Sequence, residues 1–289
     1  MAIPRFYFLA LILGLVSLVA ITLFSITQGA VFIPFEQVLA ALKLGSAAVS
    51  EITELIIYDL RLPRSLLAIC TGAGLAMVGV LLQTATRNEL ADPFLFGLSA
   101  GASAGAVAVM TRFGDQLGVW SLPVAAFCGG LLSAVSVLVL FSLQAARGVD
   151  RLVICGLAIS FLFGAVTSYL VYSGDQRAAS SVLFWSMGGL GLARWENLPF
   201  ALAAVAILVT LISLRWRSLD ALLAGDQTAN SLGINVSRLR IQVFLCCAIA
   251  TALLVSLTGV IGFVGLMVPH LARPISGVSH RLLAPMAML

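Results

Sequence analysis

The chain has 289 residues, 61% of them hydrophobic and only 10% charged, with a mean hydropathy of +1.11. A water-soluble domain carries about 25% charged residues to meet its solvent, so this composition excludes a soluble globular protein and points to lipid. The formal net charge of +4 comes from basic residues scattered singly, with no basic patch, which excludes a nucleic-acid-binding surface.

A helix crosses ~30 Å of hydrocarbon with about 20 apolar residues. Eight runs hold no charged residue: 6–26, 65–85, 95–111, 120–143, 152–172, 197–214, 241–258 and the shorter 259–271. They predict an all-α, polytopic transmembrane bundle occupying 1–289 as one membrane domain. The first run follows Arg5 and is long for the apolar core of a signal peptide. No A-x-A site follows it, so it reads as a retained helix.

Between the first two runs the chain reaches Tyr58-Asp59-Leu60-Arg61-Leu62-Pro63-Arg64. Two arginines three apart offer planar forks for carboxylates; anchoring of the span by snorkelling is an equal reading. The next connection, from Gln83 to Pro93, is a tight turn. Stripes of small residues then recur at four-residue spacing: Gly97, Gly101 and Gly105; Gly156, Ser160, Gly164 and Ser168; Ala248, Ala252 and Ser256. In lipid, close backbone approach through such residues supplies helix association. Within 218–238, Leu219, Leu222 and Leu223 form one apolar face. Asp226 there reads as the N-cap of a short helix closed by Gly233.

With the N-terminus cytoplasmic, ten basic residues (Arg5, Arg87, Arg147, Arg151, Arg215, Arg217, Arg238, Arg240, Arg273, Arg281) face inward. Six (Lys43, Arg61, Arg64, Arg112, Arg177, Arg194) face outward, which accounts for all 16 and follows the positive-inside rule. Trp120, Trp185 and Trp195 fall at outer span ends and Trp216 at an inner one, as an aromatic belt. Cys70, Cys128, Cys155, Cys246 and Cys247 lie within runs and imply no disulfide framework.

No Asp, Glu, Lys or Arg interrupts a run, whereas carriers driven by ion gradients place charges inside the membrane. A nucleotide-binding G-x-x-x-x-G-K-[ST] is also missing, since the single lysine, Lys43, follows Leu42. Uphill transport would therefore draw energy from another polypeptide. No H-E-x-x-H motif supports an intramembrane enzyme. His270 and His280 have no Cys, Asp or Glu between them and do not read as a metal site. No cofactor is expected.

Several segments, in order, resemble the FecCD/BtuC-like permease subunits of ABC importers for iron–siderophore, haem and cobalamin complexes. They are Arg61-Leu-Pro-Arg64, the small-residue run ending at Gln83, Asn88-x-Leu90-Ala91-x-Pro93, Gly101-Ala102, Asp150-Arg151-Leu152, Trp185-x-Met-Gly-Gly189 and Phe263-x-Gly-Leu-x-x-Pro-His270-x-x-Arg273. The resemblance covers about residues 60–285. It implies a type II importer permease fold, with about eight of the family's usual ten spans present.

Arg61 and Arg64 would meet acidic residues of a periplasmic substrate-binding protein. The stretch carrying Ser218, Leu219, Leu222, Leu223, Asp226, Ala229, Leu232 and Gly233 would rest on the ATPase. Inner-gate loops would hold Arg87, Asn88, Leu90, Ala91 and Pro93, and Asp150 with Arg151. The fifth span, carrying Gly156, Ser160, Gly164 and Ser168, would line the pathway, and 178–189 would form a short outer helix near the substrate entrance. A permease homodimer with two ATPase copies in the bacterial inner membrane is implied, surrounded by lipid and moving ferric–siderophore or haem complexes. A cobalamin importer of the same family is the alternative, and an ATPase-independent carrier or channel a more distant one.

Three departures are visible. Glu89 stands where the family usually has proline, which should loosen that turn, and Ala224 replaces a common leucine. The sequence ends at Leu289, where the family's ninth span begins, so a truncated permease is expected.

Overall fold

The computed structural model describes residues 5–113, 118, 120–143, 149–174 and 176–289. Among these the secondary structure is helical, with no strand. The chain opens with α1 (Arg5–Thr27), α2 (Phe35–Ala41) and α3 (Glu51–Leu55), which continues through a π turn (Ile56–Arg61) into α4 (Leu62–Thr86). A 3-10 turn (Pro93–Phe96) leads into α5 (Leu98–Arg112), then α6 (Ser121–Ser142), α7 (Val149–Ser173) and the short α8 (Gln176–Ser186). The remainder is α9 (Leu198–Leu223), α10 (Asp226–Ser231), α11 (Val236–Thr258), α12 (Val264–Ser276) and α13 (His280–Met288).

Six described helices are long and apolar enough to cross a bilayer: α1, the α3–α4 unit, α6, α7, α9 and α11. The other two expected spans form shorter helices. The 15 residues of α5 and the 13 of α12 reach only about 20 Å at 1.5 Å per residue. Their apolar runs begin with backbone that cannot be helical. Gly97 and Gly259 have positive φ, as does Phe263, the N-cap of α12. Irregular backbone inside a membrane protein persists only where other polar groups satisfy it. Accordingly Ser133 Oγ on α6 donates to the Gly97 carbonyl at 2.7 Å. Ser160 Oγ on α7 donates to the Phe94 carbonyl at 3.1 Å.

The hub is α4, buried almost without interruption from Ala73 to Thr86 and packed against α9, α11, α12 and α13. Its closest crossing is with α12, where a Cβ at Gly79 would stand 1.8 Å from the Gly265 carbonyl oxygen. The small-residue stripe of α5 serves the same purpose against α6, since a Cβ at Gly101 would meet the Gly129 carbonyl oxygen at 2.4 Å. The α11 stripe contributes Ala252 opposite Gly130. By contrast α1 lies at the periphery, with Phe6, Phe8, Ile12, Val16 and Ile21 all exposed on an apolar outer surface.

Candidate functional site

Residues with chemistry collect at the two ends of the bundle. At one end, Ser50 Oγ caps α3 by accepting from the Thr53 amide at 3.2 Å. The helix then widens into the π turn, whose altered spacing leaves the Tyr58 carbonyl free to accept from Trp195 Nε1 at 2.9 Å. Tyr58 itself donates through its hydroxyl to the Ala41 carbonyl at 3.1 Å, tying α2 to the turn.

The two arginines at this end part company. Arg61 is half-buried, and its guanidinium donates to the Ile26 carbonyl at the end of α1 (2.5 Å) and to the Val31 carbonyl. Gly29 passes directly beneath it, where a Cβ would sit 2.8 Å from Nη2. Arg64, one helical turn on, is exposed. Trp120 and Trp195 are exposed at this end, whereas Trp185 is buried on the Thr258–Val260 turn and is no belt residue. The expected short helix over 178–189 is observed as α8, and Gly189 N–H donates to the Thr258 carbonyl at 2.7 Å.

At the other end, α4 stops at Arg87, a non-glycine residue in the left-handed region (φ 48). The loop behind it is built from local caps. Asn88 Oδ1 accepts from the Leu90 amide at 2.9 Å and Asp92 Oδ1 from the Phe94 amide at 2.8 Å. Ala91 and Pro93 are buried while Leu90 is exposed. Burial pushes the Asp92 carboxyl up, against the amide bond that lowers it.

Glu89, which stands where the family usually has proline, points toward α12. Its carboxylate stands 3.3 Å from Arg273 Nη1 of α12, an ion pair without hydrogen-bond geometry. Arg273 Nη2 donates to Gln83 Oε1 at 2.5 Å, and Gln83 Nε2 donates back to the Gly265 and Leu266 carbonyls at 3.3 Å. The loop, α4 and the α12 segment are thereby one unit.

The end of α9 leads into α10. Leu219 and Leu222 are fully buried, Ser218 is half-buried, and Leu223 and Ala224 face outward. Gly225, with φ 119, precedes α10 as its N-cap. Asp226 is therefore not the N-cap that its position implied. Its carboxylate is drawn to Arg240 of α11 instead, with Nη1 to Oδ2 at 2.9 Å and Nη2 to Oδ1 at 2.8 Å. Arg240 Nε also donates to the Ala85 carbonyl in the last turn of α4, at 2.9 Å. Arg87 Nε lies 4.0 Å from the same carboxylate. Ala229 is buried, Leu232 is exposed, and Gly233 closes the element with φ 78.

The small-residue stripe of α7 divides. A Cβ at Gly156 would meet Leu95 O and Phe96 Cα at 2.8 Å, and Ser160 bonds to Phe94, so this half is packing. Gly164 has nothing within 4 Å of a built Cβ and Ser168 is exposed, so the other half faces open space. Arg151 is exposed in the first turns of α7; residues 145–148 and the side chain of Asp150 lie outside the described residues.

Sequence reading missed Arg240, Gln83–Arg273 and the cluster Asp220–His280–Thr84. Their partners lie between 14 and 196 residues apart, and only a charge close to an apolar run marked Asp220 or Arg240.

The sequence model of the FecCD transport family matches residues 17–289. The hemin transport system permease protein HmuU of Yersinia pestis is 37% identical over 279 residues, covering 95% of this chain and 81% of that protein. The cobalamin import system permease protein BtuC of Halobacterium salinarum is 37% identical over 241 residues, which is 83% of this chain. The chain spans 64% of the length of that relative. A solved structure described as an inward-facing conformation of a metal-chelate type ABC transporter matches with a TM-score of 0.82 at 32% identity. It covers 96% of this chain and 84% of that one.

Proposed function

The chain belongs to the FecCD transport family, and from that premise we propose that it is the permease subunit of an ABC importer for ferric–siderophore or haem complexes. Two such permeases would pair in the bacterial inner membrane, with the N-terminus cytoplasmic. Two ATPase subunits would sit against the α10 end, and one substrate-binding protein against the end carrying Arg64.

The observation that carries this reading is the bidentate Arg240–Asp226 bond with its continuation to the Ala85 carbonyl. Through it the short surface helix α10 is fastened to the last turn of the hub helix, beside the loop 87–93. A push on α10 would move α4 and that loop together, whereas a solvated linker would absorb it. Buried, multiply bonded arginine geometry transmits direction because the planar fork fixes both partners. Alternating access then follows: nucleotide closure in the ATPases displaces α10, and the hub helix and loop open or shut one end of the pathway along α7.

At the opposite end, Arg61 is committed to α1 and the 26–31 turn, so Arg64 is the docking cation and Arg61 holds the surface on which docking occurs. The choice of cargo follows the extensive match to a relative named for hemin transport. The relative named for cobalamin is equally identical, so cobalamin is the second reading.

Reconstitution into vesicles with the ATPase and binding-protein partners tests the proposal. Hemin, ferric citrate and cobalamin are offered in parallel, and ATP-dependent uptake of hemin or the ferric chelate is expected. Flux of the same cargo with no ATPase present overturns it, as does nucleotide hydrolysis by this chain alone.

A further inference from the structure

A second polar cluster at the α10 end has no part in the Asp226 latch. Asp220, in the last turns of α9, receives three hydrogen bonds from the start of α13. Ser279 Oγ donates to Oδ2 at 2.8 Å, and the His280 amide to Oδ1 at 2.8 Å. His280 Nδ1 lies 2.6 Å from the same Oδ1. Ser279 is the N-cap of α13 by backbone position, yet its own side chain makes no capping bond. The carboxylate from α9 does that work, and an anion is the charge a helix N-terminus favours.

On its other side His280 continues the chain of contacts. It is fully buried, and Nε2 lies 2.8 Å from Thr84 Oγ1 on α4. The Thr84 hydroxyl is also 2.8 Å from the Val80 carbonyl. Three helices therefore meet through one imidazole. Thr84 immediately precedes Ala85, whose carbonyl holds Arg240. The last turn of α4 is gripped from two directions, by α11 through Arg240 and by α9 and α13 through His280. Between these grips lies Gly225, whose φ of 119 marks the joint from which α10 departs.

We infer that His280 is a positioning residue for coupling: it joins the last turns of α9 to α13 and α4, so that displacement of α10 reaches α13 together with the hub helix that Arg240 already holds. The inference rests on the reading of α10 as the ATPase contact. Without His280, motion at the Gly225 joint would bend the end of α9 and leave α13 behind. A plain packing histidine would hold the same helices together but would not respond to nucleotide.

Hydrogen–deuterium exchange on the full chain in nanodiscs, assembled with its ATPase partner, separates these cases, with and without a non-hydrolysable ATP analogue. In the wild type, nucleotide should change exchange at 226–231, at 281–284 and at 83–87. In H280Q and D220N the changes at 226–231 and, through Arg240, at 83–87 should persist, while the change at 281–284 is lost. T84V, a near-isosteric replacement that does not touch Asp220, should keep the responses at 281–284 and at 83–87. If H280Q, or D220N alone where H280Q does not assemble, keeps the full nucleotide response at 281–284, the inference is overturned, as it is if T84V loses that response. If wild-type 226–231 shows no nucleotide response, the reading of α10 itself fails, and a wild-type response at 226–231 and 83–87 but not at 281–284 overturns only the role of His280.

Discussion

Arg240 and Asp226 meet fork to fork, with two hydrogen bonds of 2.8 and 2.9 Å between α11 and α10. The arginine side chain is 11% exposed and the aspartate 40%, so the pair straddles the surface. Its two halves are not equivalent. Removing the carboxylate leaves a mostly buried guanidinium with only the Ala85 carbonyl, whereas removing Arg240 leaves a carboxylate that water can reach. D226A should therefore cost more stability than R87A, which removes only the exposed Arg87–Asp226 contact. About 1–3 kcal/mol is expected for an unpaired buried polar group, against ~0–1 kcal/mol for a surface pair. R240K, which keeps the charge and loses the fork, should retain folding and reduce ATP-driven uptake. Thermal unfolding in detergent, read beside vesicle uptake, checks both.

The two arginines of the opposite end separate docking from folding. R64E should abolish capture of the substrate-binding protein and leave the melting temperature unchanged, because Arg64 is exposed. R61A should lower the melting temperature, since the Ile26 and Val31 carbonyls lose their donor. Each lost bond to a charged donor is worth about 1.5–3 kcal/mol. Binding measured by surface plasmon resonance on nanodisc-held protein, beside the melt, distinguishes them. Equal loss of docking and stability in both variants would reject the division of labour.

Glycine substitutions provide an internal contrast. In G79A the new methyl would stand 1.8 Å from the Gly265 carbonyl oxygen, a backbone atom that cannot yield without separating α4 from α12. Overpacking of this kind costs about 1–3 kcal/mol and sometimes more, so G79A should express poorly or aggregate. In G164A the methyl meets nothing within 4 Å, and stability should rise slightly or stay level, as alanine favours helix over glycine by about 1 kcal/mol. Fluorescence-detection chromatography of both variants reads this directly.

Much of the bundle was legible because lipid imposes a simple rule. A run of apolar residues long enough to span must be helical, and 6–26, 65–85, 120–143, 152–172, 197–214 and 241–258 all became helices of spanning length. Hydropathy could not see that 95–111 and 259–271 begin with left-handed backbone at Gly97, Gly259 and Phe263, because φ is not a property of composition. The small-residue stripes of α5 and α11 correctly marked contact faces. That of α7 marked two different things, a packed half at Gly156 and Ser160 and an open half at Gly164 and Ser168. Spacing fixes which residues share a face, and only the neighbouring 3-10 turn decides how far along it packing extends. Asp226 shows the same limit for polar groups. Its position beside a short helix predicted a cap, but Arg240, 14 residues away, competes for the carboxylate with charge as well as hydrogen bonds.

Asp92 gives the fold a pH dependence of definite sign. Only 8% exposed, its carboxyl is pushed above its ordinary value of 3.8 by burial, while the bond from the Phe94 amide opposes the shift. A carboxyl whose folded value is raised binds its proton more tightly in the native state than in the unfolded chain. Between the unfolded and folded values the native state holds more protons, so stability falls as pH rises through that window. Above that window the loop 87–93 carries a charged group at net cost. D92N keeps Oδ1 as the acceptor for the Phe94 amide and removes the charge. It should melt higher than the wild type at pH 7, with the difference vanishing as pH falls below the ordinary carboxylate value. Melting curves of both proteins from below the ordinary carboxyl value to above neutral pH are the check. A wild-type advantage at pH 7 would mean that the ionised carboxylate has a partner stronger than the Phe94 amide.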